Sequence, residues 1–401
     1  MRILLVIDGM HPRDGGPPAV VAGSAAALAT MGHGVTVLTS LRAGDEAEVK
    51  GAWPQLVASG AKLSTCQAET VGGFIGLPRQ RSLFDMAVRS ADVVHIHGLW
   101  SPLYVAVSRA AQRAGVPCFF STHGLLDRRA MKQNWRKAVK KRTAVRLFRY
   151  PELLRGSAGL IYGSPAEAAQ SWSPGHGISV HVVPNGADVS LGTAAPTDAE
   201  RARLLAAVPL LANWRRVILC RSRIYPTKGL ARMVAAFESV AETFPDSGLL
   251  LAGLAQDYAH QRELEAIIAA SPIKERIALT TQLTGAGSQF VYQCATIFAA
   301  PSDFEGFSMA IVEGLANGRP QLVTRFCHMD AVAEAGAGVI VEPSVAGVAE
   351  GLRQLLRLDD AKLGFMGLRA RRLFEDRYTW PRVAEELTAL YCAAVAKSQQ
   401  P

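Results

Sequence analysis

The chain has 401 residues, 49% hydrophobic and 19% charged, the balance of a soluble globular protein with length enough for two ordinary domains. Its apolar runs, such as residues 249–252, stay far below the roughly 20 residues that a membrane-crossing helix needs. The net charge of +9 is local: without the ten basic residues between Arg128 and Arg149, a stretch holding no acidic residue, 33 Lys and Arg face 34 Asp and Glu.

In chain order, residues 2–7 read as a buried first strand. A secretory leader is a poorer reading, because Asp8 interrupts the apolar stretch and no small-residue cleavage site follows. An Ala-rich helix is predicted over 18–31, then strands over 35–39 and 93–97, a helix over 101–114 and a strand over 118–122. Gly32-His33-Gly34 and Gly115-Val116-Pro117 supply turns between helix and strand. Strands separated by helices of this length imply crossover connections and a parallel sheet. A further strand ends at Pro184-Asn185-Gly186, and no strand pattern follows through about residue 213. The alternation then restarts, with strands over 216–220, 248–252, 277–280, 297–300 and 321–324 and helices over 230–242, 259–270 and 309–317. The expected architecture is therefore α/β with two units, divided within 184–213. Six scattered cysteines without a C-x-x-C pair fit reduced thiols better than a disulfide framework.

Three places carry chemistry. The first is the loop Pro301-Ser302-Asp303-Phe304-Glu305-Gly306-Phe307-Ser308 with the helix expected from Met309 through Glu313. Unpaired N–H groups at a helix start favour an anion, and Gly306 permits close backbone approach. Two carboxylates eight positions apart, taken alone, are more often ordinary helix charges. The second is the loop after strand 216–220, where Arg223 and Lys228 could neutralise charge on a departing diphosphate; an Arg and a Lys in such a loop are otherwise commonly solvated. The third is His95, His97 and His123, at the ends of two strands that open onto one crevice. For His95 and His97 hydrogen bonding in the core is the competing reading, and the spacing lacks a third ligand for zinc.

In its setting Pro-Ser-x-x-Glu-Gly-Phe-x-x-x-x-x-Glu-Gly-x-x-x-Gly-x-Pro, the pair Glu305 and Glu313 resembles the motif of the retaining GT-B glycosyltransferases of the group 1 (family 4) type. Four more segments resemble that family in the same chain order. Gly15-Gly16 is similar to its glycine loop facing the donor diphosphate, and Asn185-Gly186-Ala187-Asp188 to its interdomain turn. Ser222-Arg223-Ile224-Tyr225-Pro226-Thr227-Lys228-Gly229 is similar to its phosphate-binding Arg-x-x-x-x-Lys-Gly segment, and Tyr378-Thr379-Trp380 to its C-terminal crossing. Ser222 and Ser308 depart from the family, each standing where glycine is frequent, and both substitutes are small.

The resemblance implies a GT-B fold, two Rossmann-like domains with parallel sheets facing an interdomain cleft. They would span 1–185, with a crossover helix at about 380–398, and 186–379. It implies transfer of a hexose-type sugar from a nucleotide-diphosphate sugar, with retention and without cofactor or metal. His123, Glu305, Arg223 and Lys228 would be catalytic, and Gly15, Gly16, Gly306, Phe307, Ser308, Met309 and Glu313 would bind the donor. His97-Gly98-Leu99-Trp100 and the stretch from Ser121 to Leu126, with the basic run after them, resemble enzymes that build bacterial surface polysaccharides on lipid-linked acceptors.

The basic run sets Met131, Trp135, Ala138 and Val139 on one helical face against Lys132, Arg136, Lys137 and Lys140, with the phase drifting after Lys141. Lys and Arg stems around a Trp fit the headgroups of an anionic leaflet or a lipid-diphosphate acceptor, which nominates Trp135, Arg136, Lys137, Lys140 and Lys141, and the resemblance adds His97 and Trp100 as acceptor or membrane residues. A solvated charged face is the alternative; nucleic acid is not expected, since interleaved aromatics are missing. The expected location is cytoplasmic, peripheral on the inner membrane if the basic run docks there. A GT-B nucleotide-sugar epimerase and a non-catalytic membrane- or polyanion-binding protein on this scaffold stay open. No P-loop, no G-x-G-x-x-G after the first strand and no Gly-x-Ser-x-Gly elbow appear.

Overall fold

The computed structural model describes residues 1–14, 16–41, 44–67, 80–128, 149–173, 177–193, 197–281 and 287–399. The chain divides into two compact units, Met1–Gly186 with Trp380–Pro401, and Ala187–Thr379.

Among the described residues of the first unit, seven parallel strands form one sheet: β1 (Arg2–Ile7), β2 (Gly34–Leu41), β3 (Lys62–Gln67), β4 (Val93–His97), β5 (Cys118–Ser121), β6 (Gly159–Tyr162) and β7 (Val180–Val182). Their order is β3-β2-β1-β4-β5-β6-β7. Helices cover both faces, so central strands read as continuous apolar runs; β4 and β5 are buried at every residue. One apolar core gathers Val6, Phe84, Ile96, Tyr104, Phe120 and Tyr150; the other gathers Leu5, Val21, Val37, Phe119, Leu387 and Tyr391.

The last helix, Trp380–Ser398, belongs to the second of these cores and lies against the helix Gly16–Thr30. Glycine makes that contact possible: a Cβ on Gly23 would stand 2.1 Å from Trp380 Cε2, and one on Gly186 2.6 Å from its Cε3. Ala187 donates its N–H to the Tyr378 carbonyl at 2.8 Å, so the chain leaves and re-enters the second unit side by side.

In the second unit the described residues form six parallel strands: β8 (Arg216–Arg221), β9 (Ser247–Ala252), β10 (Ile277–Thr280), β11 (Ile297–Ala300), β12 (Gln321–Thr324) and β13 (Gly338–Val341). Their order is β10-β9-β8-β11-β12-β13. The helix Leu230–Ala241 turns Met233, Val234, Phe237 and Val240 inward, and Val348, Leu352 and Leu355 of the helix Val345–Leu356 join them on one face of the sheet.

Each sheet reverses its strand order once, between β1 and β4 and between β8 and β11. Crevices at the carboxyl ends of strands beside such a reversal are where open α/β sheets hold ligands. His97 ends β4, Lys228 follows β8, Glu305 follows β11 and Glu313 lies in the helix after it, while His95 lies inside β4 and His123 follows β5 one strand further from the reversal.

Cys66, Cys118, Cys220 and Cys327 are buried free thiols, while Cys294 and Cys392 are exposed. Among the described residues, no helix is long and apolar enough to cross a membrane, and no three His, Cys, Asp or Glu side chains are placed so that they could hold a metal ion together.

Candidate active site

In the second unit the loop after β8 and the loop after β11 are locked together. Gly229, at φ +67°, sits so close to the Pro301 carbonyl that a Cβ would lie 2.0 Å from its oxygen. Asp303 donates its backbone N–H to the Thr227 carbonyl at 2.8 Å, and Arg232 pairs with Asp303. This close approach carries Lys228 to Glu305: Nζ lies 2.7 Å from Oε1, and Ser302 Oγ donates to the same oxygen at 2.8 Å. Glu305 Oε2 takes no hydrogen bond from the described residues. Arg223 is exposed and donates to Gln256 Oε1 at 2.7 Å.

The helix Met309–Ala316 begins directly beyond, and Ser308 at its N-cap makes no side-chain capping bond. N–H groups at such a start carry the positive end of the helix dipole. Phe307 and Met309 were candidates for donor contact. Their partly buried side chains pack against the apolar core, Phe307 near the Tyr378 ring. Glu313 Oε2 accepts from Arg221 at 2.5 Å and from the buried Tyr292 hydroxyl at 2.7 Å. The phenol of Tyr292 is raised well above its usual range, first by burial and then by the Glu313 charge.

In the first unit three imidazoles lie together at the ends of β4 and β5. His97 Nδ1 is 3.2 Å from His123 Nε2, and the His95 and His97 rings lie 4.1 Å apart. His95 is fixed at both nitrogens, to the Tyr391 hydroxyl at 2.6 Å and to Ser121 Oγ at 2.8 Å. Burial pushes His123 down to about 4 and, with His123 nearby, His95 down to about 3; burial also holds His97 well below its usual value. The cluster is therefore neutral near pH 7 and acts through hydrogen bonds rather than as a cation.

His123 stands in the left-handed region at φ +46°, followed by Gly124 at +75°. The buried carboxylate of Glu167 sits beneath this turn, accepting from Gly124 N–H and Gly163 N–H, each at 2.8 Å. Burial raises its pKa, opposed by those two amides.

Several nominated residues stand elsewhere. His97 is buried against His123, and the half-buried Trp100 packs its ring on Tyr150. Gly16 opens the helix Gly16–Thr30, and Gly306 lies in the loop before Ser308. Gly15, Trp135, Arg136, Lys137, Lys140 and Lys141 lie outside the described residues. Arg221, Tyr292, Ser302, Glu167 and Tyr391 were not singled out in the sequence. Ser164-Pro165-Ala166-Glu167 does carry the Ser-x-x-Glu spacing of a helix start, the one local signal for Glu167.

Residues 206–366 match the family model described as glycosyl transferases group 1, and residues 15–186 match that of a glycosyl transferase 4-like domain. A GDP-mannose:cellobiosyl-diphosphopolyprenol alpha-mannosyltransferase of Xanthomonas oryzae pv. oryzae is 26% identical over 314 residues, 76% of this chain and 75% of that one. A D-inositol 3-phosphate glycosyltransferase of Corynebacterium urealyticum is 28% identical over 241 residues, 58% of this chain and 56% of that one. Among solved structures, Anabaena HepE in complex with UDP and glucose superposes with a TM-score of 0.76 at 18% identity, covering 98% of this chain and 100% of that one.

Proposed function

We propose, from the premise that this chain belongs to the group 1 glycosyltransferases and has the GT-B fold, that it moves a hexose-type sugar with retention onto a lipid-linked glycan in surface-polysaccharide assembly. The observation that carries the reading is the buried pair Lys228–Glu305, held at the mouth of the helix Met309–Ala316.

The donor's diphosphate is assigned to Arg223, Lys228, Gly15-Gly16 and the backbone from Gly306 to Met309. Such donors oppose the negative charge that grows on the departing nucleotide. Glu305 keeps Oε2 for a sugar hydroxyl. Glu313, already fixed by Arg221 and Tyr292, is assigned to the ribose. Neutral His123 is assigned to the transferred sugar.

In a same-face displacement, the acceptor oxygen bonds the anomeric carbon as the bond from that carbon to the phosphate oxygen breaks. The acceptor's proton passes to the released phosphate oxygen, so no separate protein base is required and no metal takes part. The X. oryzae relative, named for a diphosphopolyprenol acceptor, supports a lipid-diphosphate acceptor, which also suits the basic run 128–149.

The test is transfer from UDP- and GDP-sugars to a polyprenyl-diphosphate glycan, with the anomeric configuration of the product read by NMR. The donor's configuration in the product is expected. Inversion would overturn retention, and donor epimerised without acceptor would replace transfer by epimerisation.

A further inference from the structure

The turn that presents His123 is costly to hold. Two consecutive residues, His123 and Gly124, adopt positive φ, a conformation that histidine rarely takes. Such a turn persists only where its surroundings fix it. The loop is bound to the segment 163–172 at three levels. Trp172 donates its N–H to the Leu126 carbonyl at 2.7 Å, and Asp127 bridges Ser171. Within the loop itself, Leu125 N–H closes the turn onto the Thr122 carbonyl at 2.9 Å. The third level is Glu167, whose carboxylate reaches the backbone of the turn itself; the buried Asp127 carboxyl lies near enough to raise its pKa.

Glu167 begins as a local capping residue, its N–H donating to Ser164 Oγ at 3.1 Å. In a capping box its carboxylate would return to the Ser164 backbone. Here Oε2 takes the Gly163 N–H instead, and Oε1 reaches 43 residues back to the Gly124 N–H, with the Thr122 hydroxyl at a longer 3.4 Å. A carboxylate 4% exposed has few partners other than these. Charge-assisted bonds to backbone N–H groups are stronger than neutral ones, and removing the acceptor would leave buried donors unpaired.

We infer that Glu167 is the positioning residue for His123: its carboxylate fixes the amide directly after the histidine and so sets where the imidazole points. The inference rests on the glycosyltransfer reading for its rate consequence, and on geometry alone for the held loop.

The test replaces the carboxylate with its isosteric amide, Glu167→Gln, in the full chain. The amide places an NH2 against one of two backbone donors. Turnover is expected to fall about ten- to a hundredfold with donor KM unchanged, the scale of an ångström-sized misplacement. The double variant Glu167→Gln/His123→Ala should be no slower than His123→Ala alone, and hydrogen exchange should quicken at 122–126 while β1 and β4 keep their protection. Equal exchange in wild type and variant would overturn the holding role. Wild-type turnover in Glu167→Gln, or losses that multiply in the double variant, would overturn positioning through His123. A His123→Ala enzyme at full rate would instead remove the histidine from the functional reading, with exchange still reporting the held loop. Should the amide variant not fold, Glu167→Asp, which keeps the charge on a shorter arm, is read by the same measurements.

Discussion

Lys228 Nζ lies 2.7 Å from Glu305 Oε1 across 77 residues of sequence, with only 11% and 10% of the two side chains exposed. Burying two charges is expensive, and an apolar pair of similar volume often serves stability as well or better. The arrangement makes physical sense as a pre-organised polar pocket that a ligand's own charges complete.

Glu305→Gln is expected to lower transfer by at least about a hundredfold, since a fixed polar contact to the reacting group is worth several kcal/mol in the transition state. Glu305→Ala should also lower the melting temperature, because it strands the Lys228 ammonium in a buried site. Adding Lys228→Met should restore the melting temperature and leave turnover low. Calorimetry beside a transfer assay checks both halves; activity regained with stability would contradict the assignment.

Arg223 separates function from folding more cleanly. It is exposed and hydrogen-bonds Gln256, so Arg223→Ala should leave the melting temperature within about a degree. Turnover should nevertheless drop by one to two orders of magnitude, about 1.4 kcal/mol for each tenfold, as phosphate charge goes unopposed. Near-normal turnover in this variant would remove Arg223 from the site.

The histidine cluster gives the first unit an acid sensitivity of definite sign. The unfolded chain protonates these rings as pH falls through about 6.5, whereas the fold resists protonation until about 4 at His123 and about 3 at His95. Between those limits the unfolded state binds more protons, so stability rises with pH and falls on acidification. Each ring contributes at most about 1.4 kcal/mol per pH unit. Denaturant midpoints measured from pH 7 to 4.5 should decline, and His97→Asn should flatten the decline. A flat profile in the native chain would contradict the buried, neutral cluster.

What could be read from sequence was what repeats locally. Strands β1, β4, β5, β8, β9, β11 and β12 announce themselves as apolar runs bounded by turns, and the α/β class follows. Other strands went unread for different reasons: Lys62–Gln67 is largely polar, whereas Gly338–Val341 is an apolar run of only four residues, and the sheet order supplies both. Glu305, Lys228 and His123 were legible as motif positions, but the partners that hold them were not. Tyr391 reaches His95 over 296 residues and Glu167 reaches Gly124 over 43, so neither contact leaves a spacing in the chain. Phe307 and Met309 are motif positions whose partly buried side chains also pack against the core, a contact that no spacing announces.

The basic run 128–149 calls for a surface test rather than a structural one. Binding to vesicles containing anionic lipid should weaken steeply between low and physiological salt, since each basic residue near such a surface contributes on the order of 1 kcal/mol. Replacing Lys137, Lys140 and Lys141 with Gln should mimic high salt. Binding that ignores both salt and these substitutions would leave the run as a solvated face.

Calorimetric titration with UDP and GDP asks whether the second unit's pocket around Lys228 and Glu305 receives a nucleoside diphosphate. At least one of them is expected to bind the native chain and to raise its melting temperature, a ligand at a hundred times its Kd adding about 2.7 kcal/mol. Binding should be lost in a Lys228→Ala/Arg223→Ala double variant that remains folded. If neither nucleotide binds, or if that variant binds as tightly as the native chain, the pocket described around Lys228 and Glu305 is not the donor site.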